Sequence, residues 1–255
     1  VRELAAQILS EFRRFAKAHE GLRCVGVLGG GSKTDNFREL RNGAEVVVGT
    51  PGRLVDVCRG GHKSATNLRR VTYLVLDEAD RMLDMGFEAQ VRSICDGCRP
   101  DRQTALFSAT MPARVRALCD DVMGGDALTI TVGRPGGANA DVAQFAEVLP
   151  DGSDDARLNW LTQRARQFVD EGEVLVFVSR RAHVETCEAA LRDVGIRVKG
   201  LHGDMHQSDR AAALGAFRKG EAHVLVATDV AARGLDVPSV RTVVSLHVPR
   251  DIESH

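Results

Sequence analysis

The sequence has no run of about 18 apolar residues, the minimum for a membrane-crossing helix, and no signal peptide is visible in it. It also lacks an excess of charge of one sign. Thirty-four Lys and Arg against 35 Asp and Glu leave a formal charge of -1, which excludes a global basic field, so any RNA or DNA contact must rest on local patches. Lysine is scarce, at five residues. Arginine is the better fork for phosphate oxygens, although a GC-rich coding sequence produces the same bias. The six cysteines show no disulfide-framework spacing, which favours a reducing compartment. Cys95 and Cys98 form the one CxxC. A zinc site needs a second pair, which Cys24, Cys58, Cys119 and Cys187 do not supply, so both are read as neighbouring helix residues.

What is present is an ordinary globular composition, 44% hydrophobic and 27% charged, in 255 residues. That length favours two domains of roughly 100–150 residues. The most informative stretch is Tyr73-Leu-Val-Leu-Asp-Glu-Ala-Asp80. Its four apolar residues read as a buried strand, and Asp77, Glu78 and Asp80 arrive where that strand emerges into solvent. Acids placed there suit metal and water chemistry on a nucleotide, and a solvated acidic turn has the same pattern.

Along the chain, Leu4, Ile8, Phe12 and Phe15 have helical spacing. A strand over 23–28 runs into Gly29-Gly-Gly-Ser-Lys-Thr34. This loop fails the phosphate-loop template. Counting from Gly26 places Gly31 correctly, but Ser32 stands where the template needs lysine and Lys33 comes one residue late. Ala44-Glu-Val-Val-Val-Gly49 is a β-branched strand before Thr50-Pro-Gly-Arg53, in which Thr50 is placed to cap the next helix. Met82, Phe87, Val91 and Ile94 continue as helical core positions, and a strand over 103–107 ends on Ser108-Ala-Thr110, before a helix from 112 to about 123. Repetition of strand, polar turn and helix specifies an α/β fold with a parallel sheet.

Residues 133–140 lack periodicity and read as a linker. A second α/β pattern follows, with strands expected over 142–149, 173–178, 198–201, 223–227 and 242–246, and helices over 156–168, 181–194 and 209–217. Each domain presents its polar turns along one sheet edge, and the two edges are expected to face across a cleft.

In order, the chain carries Arg2-Glu-Leu-Ala5, Gly29-Gly30, Thr50-Pro-Gly-Arg53, Asp77-Glu-Ala-Asp80, Ser108-Ala-Thr110, Phe177-Val-Ser179, Gln207-x-x-Arg210 and the segment 227–236. This series resembles the DEAD-box RNA helicases, and details such as Leu201-His-Gly-Asp-Met205 resemble the splicing-associated members. The resemblance implies two RecA-like domains, at 1–132 and 141–255, the first incomplete at its N-terminal end and the second at its C-terminal end. ATP and Mg2+ are the implied cofactors, with Asp77 holding magnesium through water and Glu78 orienting and deprotonating the attacking water. Asp80 would bond toward Ser108 and Thr110, while Asp236, with Arg233 and Gly234, would serve ATP and interdomain contacts. RNA is the implied partner, held by its backbone through Arg2, Gly29, Gly30, Thr50, Arg53, Ser179, Gly203, Arg210 and Thr228. Further protein partners in RNA processing, mRNA splicing and an intracellular, nuclear location are expected on the same ground, and no membrane.

The resemblance also leads to the expectation of a fragment, because the family's Gln motif, P-loop and C-terminal arginine-finger segment are not found in these 255 residues. Negligible ATP hydrolysis is expected of this chain alone, the arginine finger being worth a factor of roughly 10³–10⁵. Alternatives are a non-catalytic RNA-binding or scaffold paralogue and a DNA-directed motor of the same superfamily. If the loop at 29–34 serves RNA backbone and not nucleotide, Lys33→Ala in the complete enzyme leaves ATP affinity unchanged in a nucleotide titration. A large loss would return the loop to phosphate binding.

Overall fold

The computed structural model describes residues 2–59, 64–133, 141–228, 237 and 239–247. Contacts divide the chain into two compact units, Val1–Ala138 and Asn139–His255.

In the first unit, β1 (Cys24–Val27) pairs in parallel with β2 (Val46–Gly49), and β3 (Tyr73–Leu76) pairs in parallel with β4 (Gln103–Leu106). The helices are α1 (Arg2–Ala16), α2 (Lys33–Arg41), α3 (Pro51–Cys58), α4 (Ala79–Asp84), α5 (Glu88–Gly97) and α6 (Ala113–Met123). Valine-rich strands are stiff at χ1 and pack well on a pleated surface. Val25 and Val27 accordingly meet Leu40 of α2 and Val57 of α3, while Leu76 meets Val91 of α5 and Val115 and Leu118 of α6. The two strand pairs are separate sheets, bridged where Val55 of α3 packs with Ile94 and Cys98 at the end of α5.

Three expectations are corrected here. First, β3 is not buried throughout: Tyr73 is 56% and Val75 46% exposed. Among the described residues it pairs only with β4, and side chains alternate along it: Leu74 and Leu76 face the packed helices, whereas Tyr73 and Val75 lie on the opposite, uncovered face. Second, α1 buries Ala5 and Leu9 against Val48, whereas Phe12 and Phe15 are exposed. Fifteen helical residues reach about 22 Å and a four-residue strand about 13 Å, so the last turns of α1 overrun the strands beneath them. Third, the helical pattern after Met82 is broken. Gly86 adopts φ 76°, donating to Leu83 O at 3.0 Å and closing α4 before α5 begins.

In the second unit, the strands β5 (Glu173–Val178), β6 (Val198–Leu201), β7 (Val224–Thr228) and β8 (Val240–Ser245) form one parallel sheet in the order β6-β7-β5-β8. With α7 (Asp154–Glu171) and α8 (Arg181–Asp193), they enclose a core of Leu161, Val174, Val176, Leu191 and Val226. On α9 (Gln207–Arg218), Phe217 is fully buried with Leu201 and Leu225. The strand expected over 142–149 does not form. That stretch has no strand neighbour among the described residues, and Phe145 and Val148 are 95% and 93% exposed. No described helix is long and apolar enough to cross a membrane. Cys95 and Cys98 are buried free thiols whose pKa burial pushes up.

Parallel pairing gives each sheet one edge of strand C-termini, and the described turns after β1, β2, β3 and β4, with Ser179, Gly203 and Thr228, lie on such edges. Leu118 is fully buried under β3 and β4, so Leu118→Ala is expected to destabilise the first unit by about 2–5 kcal/mol in urea unfolding.

Candidate functional site

Leu76 pairs with Leu106, so the chains leaving β3 and β4 start side by side. Phe107 N–H donates to Leu76 O at 2.8 Å and Ala79 N–H to Phe107 O at 3.0 Å, which carries the contact past the end of the ladder. Asp80 then meets the Ser-Ala-Thr turn. Its carboxylate accepts from Thr110 Oγ1 at 2.8 Å, Thr110 N–H at 3.1 Å and Arg81 N–H at 2.8 Å, while its own N–H donates to Ser108 Oγ at 3.2 Å. Ser108 Oγ donates in turn to Thr110 O at 2.7 Å. Desolvation works to raise the Asp80 pKa, but the hydrogen bonds from Thr110 and Arg81 outweigh it and hold the carboxyl below its ordinary value.

Between these bonds and the strand stand Asp77 and Glu78. Asp77 is exposed, and its Oδ1 accepts Glu78 N–H at 2.9 Å. Glu78 has φ 52° and ψ 53°, the left-handed region, alone among the described non-glycine residues in having positive φ. That conformation costs an L-residue on the order of 1–2 kcal/mol. Glu78 Oε2 is buried without a hydrogen-bond partner. A strained turn thus holds one carboxylate in solvent and an unsatisfied carboxylate oxygen beside it, a donor set suited to a hard cation and a water molecule.

A second cluster forms at the ends of β1 and β2. Thr50, expected as a helix cap, instead accepts Gly29 N–H on Oγ1 at 3.2 Å and makes no cap bond, and Pro51 stands at the helix start. A Cβ on Gly29 would lie 3.2 Å from Arg2 Nε and 3.6 Å from Thr50 Oγ1, so glycine lets the Arg2 guanidinium lie along the loop. Gly30 turns with φ 87°. Arg53 Nη1 donates to Gly31 O and to Asn36 Oδ1, both at 3.0 Å, and Asn36 Nδ2 donates to Gly26 O at 2.9 Å. Arg2, Gly29, Gly30, Thr50 and Arg53 are therefore brought together. Lys33 ion-pairs with Asp56 at 3.0 Å. Asn36 was missed in the sequence, where an asparagine inside a helix gives no signal for its role as a clamp.

In the second unit, Gly203, Thr228 and Ser179 follow or end β6, β7 and β5 at one sheet edge. A Cβ on Gly203 would meet nothing within 4 Å. Arg210 is 7% exposed and donates from Nη1 to His202 O at 2.9 Å, supporting the Gly203 loop from beneath. Asp236, Arg233 and Gly234 lie outside the described residues.

Parallel α/β units with an Asp-Glu-Ala-Asp strand end bonded to a Ser-Ala-Thr turn define a helicase core. Residues 1–118 match the family model of the DEAD/DEAH box helicases and residues 157–255 that of the helicase conserved C-terminal domain. The chain belongs to the DEAD-box helicase family. It is 52% identical over 254 residues to ATP-dependent RNA helicase DDX42 of Xenopus laevis and 49% identical to DEAD-box ATP-dependent RNA helicase 24 of Arabidopsis thaliana. All of this chain is covered in both comparisons, but only 26% and 32% of those relatives. Among solved structures, S. cerevisiae Dbp5 bound to RNA and ADP BeF3 aligns at TM-score 0.82 and 28% identity, over 97% of this chain and 61% of that one.

Thr110→Val removes the 2.8 Å bond to Asp80. The Asp80 pKa should rise toward its ordinary value, as read by carboxyl NMR titration. A carboxyl with a depressed folded-state pKa stabilises the fold above its unfolded value, near about 4, and that contribution is lost as pH falls through the folded value. The variant should therefore lose about 1–2 kcal/mol of stability at neutral pH, with the difference vanishing in acid.

Proposed function

We propose that the complete protein is an ATP-dependent RNA helicase that holds RNA by its backbone and separates or clamps it locally. The reading rests above all on one observation: Asp80 is tied to Thr110 and Ser108 while Asp77 and the unpartnered Glu78 oxygen stand beside it. The relatives, named as ATP-dependent RNA helicases, support it, as does the likeness to an RNA- and nucleotide-bound Dbp5.

In this reading the exposed Asp77 carboxylate would hold a magnesium ion. Magnesium-bound ATP supplies an electrophilic γ-phosphoryl group with its charge partly neutralised. Glu78 Oε2 orients a water molecule and accepts its proton. Asp80, fixed by Thr110, keeps the β3 turn in register with the β4 turn, so the conformation of one is felt by the other. Asp236, Arg233 and Gly234, which lie outside the described residues, are proposed to meet nucleotide. No Gly-x4-Gly-Lys-Ser/Thr sequence occurs in the 255 residues, so a phosphate cradle is not among the roles assigned to them.

Arg2, Gly29, Gly30, Thr50 and Arg53 form the proposed RNA surface of the first unit, with Ser179, Gly203 and Thr228 in the second and Arg210 as the support of its Gly203 loop. Backbone N–H groups, hydroxyls and guanidinium groups suit phosphate and sugar oxygens, which makes binding insensitive to base sequence and sensitive to salt. Contacts to the 2′-OH select RNA over DNA. A nuclear role in RNA splicing is proposed on the same family grounds.

In the complete enzyme, Glu78→Gln should lower RNA-stimulated ATP hydrolysis by at least about 10²-fold and leave ATP-dependent RNA binding in place, while DNA fails to stimulate the parent enzyme. Undiminished hydrolysis in the variant would remove Glu78 from the chemistry. Equal stimulation by DNA would favour a DNA-directed motor.

A further inference from the structure

Away from these residues, the second unit gathers three metal-ligating side chains from three elements. Asp154 is the first residue of α7, His183 lies in the first turn of α8, and His247 follows β8. They are 29 and 64 residues apart in sequence, so no motif announces them. Both imidazoles direct Nε2 at one carboxylate: His183 Nε2 lies 3.1 Å from Asp154 Oδ2, and His247 Nε2 lies 3.1 Å from Asp154 Oδ1. The rings stack 2° from parallel with centroids 4.3 Å apart. One ligand atom from each residue lies within 4.8 Å of the other two.

We propose that Asp154, His183 and His247 form a binding site for a divalent transition-metal ion of the zinc type. Two imidazole nitrogens and a carboxylate oxygen make a borderline N2O donor set with a fourth position open to water, and bond lengths of about 2.0–2.2 Å are reached from the present spacing by small side-chain rotations. The orienting shell is partly in place. Ser179 Oγ lies 3.2 Å from His183 Nδ1. A metal on Nε2 puts the remaining ring proton on Nδ1, where it is donated to that hydroxyl.

Arg157 donates to Asp154 Oδ1 at 2.9 Å and competes for that oxygen, leaving Oδ2 for the ion. His247 is half-buried, with Asp154, His183 and Arg157 as its charged and titratable neighbours. Cys187, one turn beyond His183 on α8, is buried and its thiol is pushed up to about 11 by burial first and Asp154 second. Its Sγ is not among the ligand atoms that lie within 4.8 Å of one another. Occupancy would join the end of β8 to the starts of α7 and α8, and would fix the Ser179 hydroxyl as an acceptor.

The test is titration of the purified 255-residue chain with Co2+ as a spectroscopic probe, followed by displacement with Zn2+. One equivalent of Co2+ should bind in the micromolar range with visible d–d bands and no thiolate charge-transfer band. His183→Asn and His247→Asn should each weaken binding by about 10-fold or more. Zn2+ should raise the thermal midpoint of the parent chain and not of the variants. Because a histidine variant can fail to fold, Asp154→Asn provides an isosteric second probe, with circular dichroism confirming the fold in each case. Absence of d–d bands at submillimolar Co2+, binding unchanged in these variants, or a thiolate band that marks cysteine ligation would each overturn the proposal.

Discussion

The parallel register of β3 and β4 is the constraint on which the candidate site depends. With Leu76 opposite Leu106, Phe107 N–H reaches Leu76 O and Ala79 N–H reaches Phe107 O, and only then can Asp80 accept from Thr110. A slip of one residue would reverse the faces of Leu74 and Leu76 and withdraw the carboxylate from the hydroxyl. Burial of Leu76 against Val91, Val115 and Leu118 sets that register. The same apolar contacts that stabilise the fold therefore fix the position of Asp80, and the hydrogen bonds to Thr110 and Arg81 then fix its charge state.

Much of this was legible in the sequence because it is local. Valine-rich strands, the Pro51 helix start and the polar turns all fall where periodicity and turn chemistry place them. The acid strand end and the hydroxyl turn were each visible, although which of Ser108 and Thr110 accepts and which donates is a matter of three-dimensional placement. Thr50 illustrates the limit. A threonine before proline has the signature of a cap, yet its hydroxyl is taken by Gly29 N–H, 21 residues away.

Non-local features were hidden for the same reason. The exposure of Val75 and Tyr73 follows from helices packing on only the Leu74 and Leu76 face of β3, and an apolar run carries no information about which face is covered. The stretch 142–149 has strand-like composition but no strand neighbour among the described residues. Arg210 reads as a surface phosphate ligand and is in fact beneath the loop it supports. The Asp154, His183 and His247 cluster depends on bringing three elements to one sheet edge, which no short motif encodes.

The left-handed turn at Glu78 has a consequence for how this position tolerates change. Glycine would adopt the same backbone without the Cβ penalty, so the residue that best suits the turn is one with no carboxylate at all. Stability and chemistry pull this single position in opposite directions. Glutamate there marks a point at which a less stable backbone is retained for a side chain that the fold itself does not need.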